Sequence, residues 1–355
     1  MKRLSIFIVG IMVAVVAMSR TFDMKQLGAD AKGIKSCTEL INRTIEKAAS
    51  EGGGTIYFPA GTYLTATIHM KSNITLYLES GAVLRFSDKF EDYLPFVTLR
   101  WEGTVMKSLS PLIYAHSADN VTISGRGTLD GNGLKWWLWE FDTRKVIKEN
   151  GGKLPALDKL QQMWVDANKD LEISDYYKPS LERRMFRPPF IQFYECTNIL
   201  IENVKIINSP FWTINPAFCD NVTIHGITIN NPSSDPKGPN TDGINPSSCR
   251  NVRISDCLIS VGDDCITIKS GRDADGRKYG KACENITITN CIMLSGHGGV
   301  VIGSEMSGGV KRVAISNCVF DGTNAGIRLK ASRGRGGVVA VSYTHLRAHE
   351  TRRHL

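Results

Sequence analysis

A short cadence of polar and apolar positions recurs along the chain. It reads Asn followed by alternation: Asn198-Ile-Leu-Ile, Asn221-Val-Thr-Ile, Asn251-Val-Arg-Ile and Asn285-Ile-Thr-Ile, with Arg312-Val-Ala-Ile as a variant and earlier copies at Asn73-Ile-Thr-Leu and Asn120-Val-Thr-Ile. A period of two is the signature of a strand. The copies from Asn198 onward are separated by 23, 30, 34 and 27 residues, and a repeat of that length with Gly, Asn and Pro turns predicts a solenoid. The expected fold class is all-β: a single right-handed parallel β-helix whose coils rise by about 4.8 Å, the spacing of neighbouring strands. Between Cys37 and Ser50 the apolar residues Leu40, Ile41, Ile45, Ala48 and Ala49 change to helical spacing, ended by Glu51-Gly-Gly-Gly. This predicts an N-terminal capping helix over an exposed strand edge. Residues 133–189 interrupt the repeat with Trp136, Trp137, Trp139, Trp164, Tyr176 and Tyr177 and predict a lobe-like insertion rather than a separate domain.

The ends of the chain depart from this pattern. Lys2 and Arg3 precede an apolar run from Leu4 to Ala17, and Ala17-Met18-Ser19 offers small residues for cleavage. Residues 1–19 therefore read as a secretory signal peptide, too short for a comfortable membrane span, and the protein is expected to be secreted or periplasmic, without stable membrane insertion. Residues 20–340 form the β-helix unit. Residues 341–355 hold three of the seven histidines and no strand alternation; they read as a non-native tail that leaves the solenoid without its C-terminal coils.

Charge excludes one class of partner. Of the formal net charge of +8, residues 1–20 and 341–355 carry five, leaving +3 on the residues between. A nucleic-acid binder is expected to show a clustered basic stripe, which is missing here. Seven of the nine cysteines fall into two ladders, with Cys196, Cys219, Cys249 and Cys283 two residues before the repeat Asn and Cys257, Cys291 and Cys318 six after it. No CxxC pair suggests zinc, and buried thiols pack as small apolar residues.

Four polar segments sit beside the apolar runs: Asn240-Thr241-Asp242-Gly243, Gly262-Asp263-Asp264, Gly296-His297-Gly298 and Arg328-Leu329-Lys330. Aligned on the inward residues Ile214, Ile244, Ile266, Val300 and Ile327, Asp242 and Asp264 share one column and Asp263 and His297 the next. Stacked coils bring each pair within roughly 5 Å. Arg328 and Lys330 alternate outward on the same face. Each motif alone is a good turn. Together they crowd carboxylates that no sequence neighbour neutralises, an arrangement costly for a fold and suited to catalysis or to a hard cation such as Ca²⁺. The histidine and the cations favour acid–base chemistry.

In this order and spacing the four segments resemble the signature motifs of glycoside hydrolase family 28, the polygalacturonase family of right-handed parallel β-helices. The resemblance spans about residues 25–340, including Gly53-Gly-Thr-Ile-Tyr-Phe-Pro-Ala-Gly-Thr-Tyr63 and Ser209-Pro-Phe-Trp212. It implies inverting hydrolysis of α-1,4-galacturonosidic bonds without metal or cofactor. Asp263 would be the general acid, Asp242 and Asp264 would hold and activate water, and His297 would tune the acid. Asn240, Arg328 and Lys330 would bind substrate. The implied partner is an acidic plant cell-wall polysaccharide such as pectin, met by a monomer. Inversion needs an acid and a base about 6.5–9.5 Å apart, and neighbouring carboxylates are expected to raise the acid's pKa. The family usually has a Tyr in the following coil, whereas Tyr343 stands in the tail without matching context. The insertion and the Gly271–Ala282 loop favour attack from a chain end by walling one end of the cleft. A rhamnogalacturonan hydrolase, a Ca²⁺-dependent pectate lyase and a non-enzymatic β-helical adhesin are the alternatives.

Overall fold

Asparagine recurs at one corner of each coil because the backbone there is left-handed. Asn73, Asn120, Asn198, Asn221, Asn251 and Asn285 all have φ between 53° and 61°, a region that Asn tolerates better than other residues with a Cβ. The side chains then bond coil to coil. Asn120 Nδ2 donates to Asn73 Oδ1 at 3.0 Å, Asn221 to Asn198 at 2.6 Å and Asn285 to Asn251 at 2.8 Å. Arg312, the variant corner, continues the ladder by donating to Asn285 Oδ1 at 2.6 Å.

These corners join the faces of a single right-handed parallel β-helix. The computed structural model describes residues 20–151, 156–171, 187–232, 234–331 and 334–340. Among them, ten parallel strands from Thr21–Asp23 to Val339–Ala340 form the longest sheet, and nine from Lys32–Ser36 to Val319–Phe320 form the second. The third face contains Ile68–His69, Ile113–His116 and Ile191–Tyr194, then single bridges at Ile214 and Ile244, then Ile266–Ile268, Val300–Ile302 and Ile327–Leu329. Alternate residues turn inward and stack in register: Val222, Val252 and Ile286 are paired neighbours, as are Ile224, Ile254 and Ile288, all fully or almost fully buried. Each such side chain contributes about 1.5–3 kcal/mol on burial, and it needs the next coil to be buried at all.

The cap is narrower than the sequence suggested. The helix Thr38–Ser50 buries Ile41, Ile45 and Ala48 against Gly54–Phe58 and Ile68–His69. The short strands Thr21–Asp23 and Lys32–Ser36 extend the other two sheets beyond it. The cysteines are all free thiols, buried except for the partly exposed Cys318. Several donate to carbonyls of the preceding coil, Cys219 Sγ to Phe193 O at 3.1 Å and Cys249 Sγ to Pro216 O at 3.2 Å.

Within the insertion, the helices Leu134–Glu149 and Lys159–Ala167 lie against the solenoid. Trp136 is buried against Phe90 and Tyr93, and Trp137 Nε1 donates to Ser209 O at 2.9 Å. Residues 1–19 and 341–355, on which the signal-peptide and tail expectations rest, lie outside the described residues. Among the described residues no helix is long and apolar enough to cross a membrane.

One element has no counterpart in the sequence reading. Val97–Trp101 and Thr104–Ser108 form an antiparallel hairpin over the outside of the third face. Its two-residue turn, Glu102-Gly103, has positive φ at both positions, the geometry that matches the twist of paired strands. Trp101 stacks on Phe211 at 5.1 Å. Arg100 is buried, donates to Ser248 Oγ at 2.7 Å and lies 4.4 Å from the Phe218 ring centre.

Candidate active site

The third face adopts the register that the alignment of apolar residues predicts. Ile191, Ile214, Ile244, Ile266, Val300 and Ile327 are paired coil by coil. Asp242 and Asp264 thus occupy one column, and Asp263 and His297 the next. The second pair is joined twice: His297 N donates to Asp263 O at 2.8 Å, and His297 Nδ1 lies 3.1 Å from Asp263 Oδ1. Asp263 Oδ1 also accepts from the Asp264 amide at 2.9 Å. Exposure separates the two columns. The Asp263 and His297 side chains keep 17% and 38% of their surface, whereas Asp242 and Asp264 keep 3% and 1%. The acid–imidazole pair therefore faces solvent, and the other two carboxylates lie beneath it.

The sequence leaves these acids without neutralising neighbours; the fold supplies them from distant coils. Lys330 Nζ pairs with Asp264 Oδ2. Lys269 Nζ lies 3.9 Å from Asp242 Oδ2 and 2.7 Å from Glu305 Oε2, 4.4 Å from the Trp212 ring centre. Glu305 in turn faces Arg272 and Arg335 at 3.9 and 3.7 Å. Lys269 and Lys330 each stand three residues after an inward apolar residue, so their shared column was available in the sequence; Glu305 gave no such signal. Arg328 is exposed on the same strand as Lys330. Asn240 is half-buried, and its amide oxygen accepts from Arg187 Nη2 at 2.8 Å and Arg144 Nη2 at 3.5 Å. Arg144 and Arg187 meet at the buried Glu140 of the first insertion helix, so Asn240 ties that helix to the site.

Protonation differs from the expectation for the acid. Burial, and then the nearby Asp263 carboxylate, raise Asp242 well above the ordinary carboxylate range. Burial pushes Asp263 up as well, but the hydrogen bond with His297, and the charges of Lys330 and Lys269, bring it below that range. The raised carboxyl is thus Asp242 and not Asp263. Two donors converge on Asp263 Oδ1, while Asp242 Oδ2 receives Asn245 Nδ2 at 3.1 Å from deeper in the coil. Burial opposes the charge of Lys269, yet Glu305 and Asp242 hold its pKa above the lysine range.

Asp263, Asp264 and His297 each bring one ligand atom within 4.8 Å of the others. Two ammonium groups also neutralise this cluster: Lys330 on Asp264 Oδ2, and Lys237 at 2.7 Å from His297 Nε2.

Space at the site is kept by Gly298, in the same column as Asp264. A Cβ there would lie 3.3 Å from Asp264 Oδ1 and 2.4 Å from Val301 Cγ2. Asp264 Oδ1 is itself buried without a hydrogen-bond partner among the described residues. Gly298→Ala is expected to lower kcat/KM by about 10²-fold through misplacement of the acids. Initial rates measured beside the thermal midpoint check this, and an unchanged rate would show that the space is not used.

Comparison with known proteins gives the family. The model of glycosyl hydrolases family 28 matches residues 177–350, and a model described as rhamnogalacturonase A/epimerase, pectate lyase-like, matches residues 21–138. A hyperthermoactive exopolygalacturonase from Thermotoga maritima is 39% identical with a TM-score of 0.77, over 90% of this chain and 70% of that one. A polygalacturonase from Erwinia carotovora ssp. carotovora is 25% identical with a TM-score of 0.64, over 86% of this chain and 73% of that one. A probable polygalacturonase from Vitis vinifera is 34% identical over 84% of this chain and 54% of its own length. The chain belongs to family 28 of the glycosyl hydrolases. It spans about half the length of the curated relatives it matches best among these, 54% and 56% for the grape protein and one from Arabidopsis thaliana.

Proposed function

We propose that this protein is a polygalacturonase that hydrolyses α-1,4-galacturonosidic bonds of pectin or polygalacturonate with inversion. The observation that carries the reading is the Asp263–His297 pair, exposed above buried Asp242 and Asp264 and flanked by Lys330 and Arg328. Asp263 protonates the glycosidic oxygen, and Asp242 and Asp264 hold and activate the attacking water. A buried carboxyl raised like Asp242 keeps a proton in the resting cluster, and that proton is available to Asp263 once substrate excludes water. Arg328 offers a planar donor pair to a uronate carboxylate, and Lys330 a second charge. Asn240 lines the same approach. A leader at residues 1–19 would export the enzyme to its substrate.

Attack from a chain end is part of the proposal. The hairpin supports it more directly than the insertion does. Its tip is fixed beside Glu305, the partner of Lys269: Arg272 N donates to Gly103 O at 3.0 Å, Arg272 Nη1 lies 3.5 Å from Glu102 Oε2, and a Cβ on Gly103 would come within 2.9 Å of Glu305 Cβ. With Trp101, Phe211 and Trp212 stacked in series behind it, this wall would stop a polymer running along the third face.

The test is chromatography of the earliest products from polygalacturonate. Mono- or digalacturonate alone is the expected result. A ladder of longer oligomers would overturn chain-end attack while leaving hydrolysis intact. Unsaturated products, or activity lost to a chelator, would overturn hydrolysis in favour of a lyase.

A further inference from the structure

The loop before Asn240 reaches across the site to the imidazole. Lys237 is half-buried, and its Nζ lies 2.7 Å from His297 Nε2, on the side of the ring opposite Asp263. The loop that carries it is tied down: Gly238 N donates to Pro232 O at 2.9 Å, Thr241 Oγ1 to Gly238 O at 2.8 Å, and Gly262 N to Thr241 Oγ1 at 3.1 Å. The last contact links the loop directly to the turn bearing Asp263.

We propose that Lys237 is a positioning residue for the acid, fixing His297 as the neutral tautomer that donates from Nδ1 to Asp263. An ammonium has donors and no acceptor. A ring nitrogen that meets it at hydrogen-bond distance must offer a lone pair, and the proton of the neutral ring then sits on the other nitrogen. Here that nitrogen faces Asp263 Oδ1 at 3.1 Å. The consequence is chemical. A cationic imidazolium beside Asp263 would hold the carboxylate ionised and unable to act as an acid. A neutral ring orients it without a full adjacent charge.

The other charged groups bearing on this pair do not do the same work. Asp264 is within 4.8 Å of both partners, and Lys330, Lys269 and Asp242 act on Asp263 from neighbouring strands. The next coil meets His297 with Asn324, which is uncharged. Lys237 alone among the described residues is placed to donate to Nε2.

The proposal rests on the polygalacturonase reading, and its test separates the two. In the full chain with ¹⁵N-labelled histidine, assigned by loss of the His297 signal in His297→Gln, Nε2 of the wild type is expected to be a bare acceptor at neutral pH. In Lys237→Met the preference for the Nδ1–H tautomer should be lost, and both ring tautomers should appear in the spectrum. On polygalacturonate, kcat/KM should fall by about tenfold in Lys237→Met, through misplacement of the acid, and be restored in Lys237→Arg. A protonated wild-type Nε2, an unchanged tautomer in Lys237→Met, or a loss of rate not restored in Lys237→Arg would each overturn the proposal. Inactivity of the wild type on polygalacturonate would overturn the functional reading, and the nitrogen spectrum would still decide the role of Lys237.

Discussion

Asp263→Asn is expected to lower kcat on polygalacturonate by about 10³-fold, the scale of a lost general acid, with little change in KM. The substitution keeps the shape of the side chain, and an amide oxygen at Oδ1 still accepts from the Asp264 amide. Its effect on folding should be small. Asp263 is the carboxylate that most raises the buried Asp242, but its own charge is held by His297, Lys330 and Lys269, so neutralising it removes repulsion and attraction together, and the thermal midpoint should change little. A large fall in rate with an undiminished midpoint would assign the loss to chemistry. A variant within tenfold of the wild-type rate would remove Asp263 from the acid role.

The second large effect belongs to Glu305. Replacing it by Gln leaves Lys269, 4% exposed, without its closest counter-charge, and breaking a buried pair from one side costs about 3–5 kcal/mol. Urea unfolding at neutral pH measures it. The pH dependence supplies a second check. Burial would raise the Glu305 carboxyl, but Lys269, Arg272 and Arg335 outweigh it and bring the pKa from 4.5 down to about 2. A carboxylate depressed in the folded state contributes stability that is fully present above its unfolded value and is lost as the pH falls through the folded one. The stability gap between wild type and Glu305→Gln should therefore be constant above about pH 4.5 and narrow as the pH falls towards 2. A gap independent of pH would mean that the variant loses packing and not an ion pair.

The parts of the site legible in the sequence were those tied to the apolar strands. Ile266, Val300 and Ile327 can face inward in one way only, because a slip of one residue would turn every side chain to the other face. Asp263 therefore falls over His297 by necessity. The missing parts lie off that rhythm. Glu102-Gly103 was a fair turn signal, but Val97–Ser108 alternates like a coil strand and carries no corner Asn, so its antiparallel return was hidden. Lys237 sits in a loop whose path no periodicity describes. The neutralising pairs escaped because Asp264 and Lys330 are far apart in sequence and meet only across one intervening coil. The proton was misplaced for a related reason: stacking can be counted along a sequence, whereas the depth that separates Asp242 from Asp263 cannot.

The uneven coil lengths gain a meaning from this register. From Asn198 onward, successive corner residues are 23 to 34 positions apart, yet the inward residues of the third face remain opposite one another. The strands act as a ruler, and the turns between them are slack. Turns of different length can join these strands without breaking their register, so that specificity for the polymer can be rewritten around a fixed reaction centre.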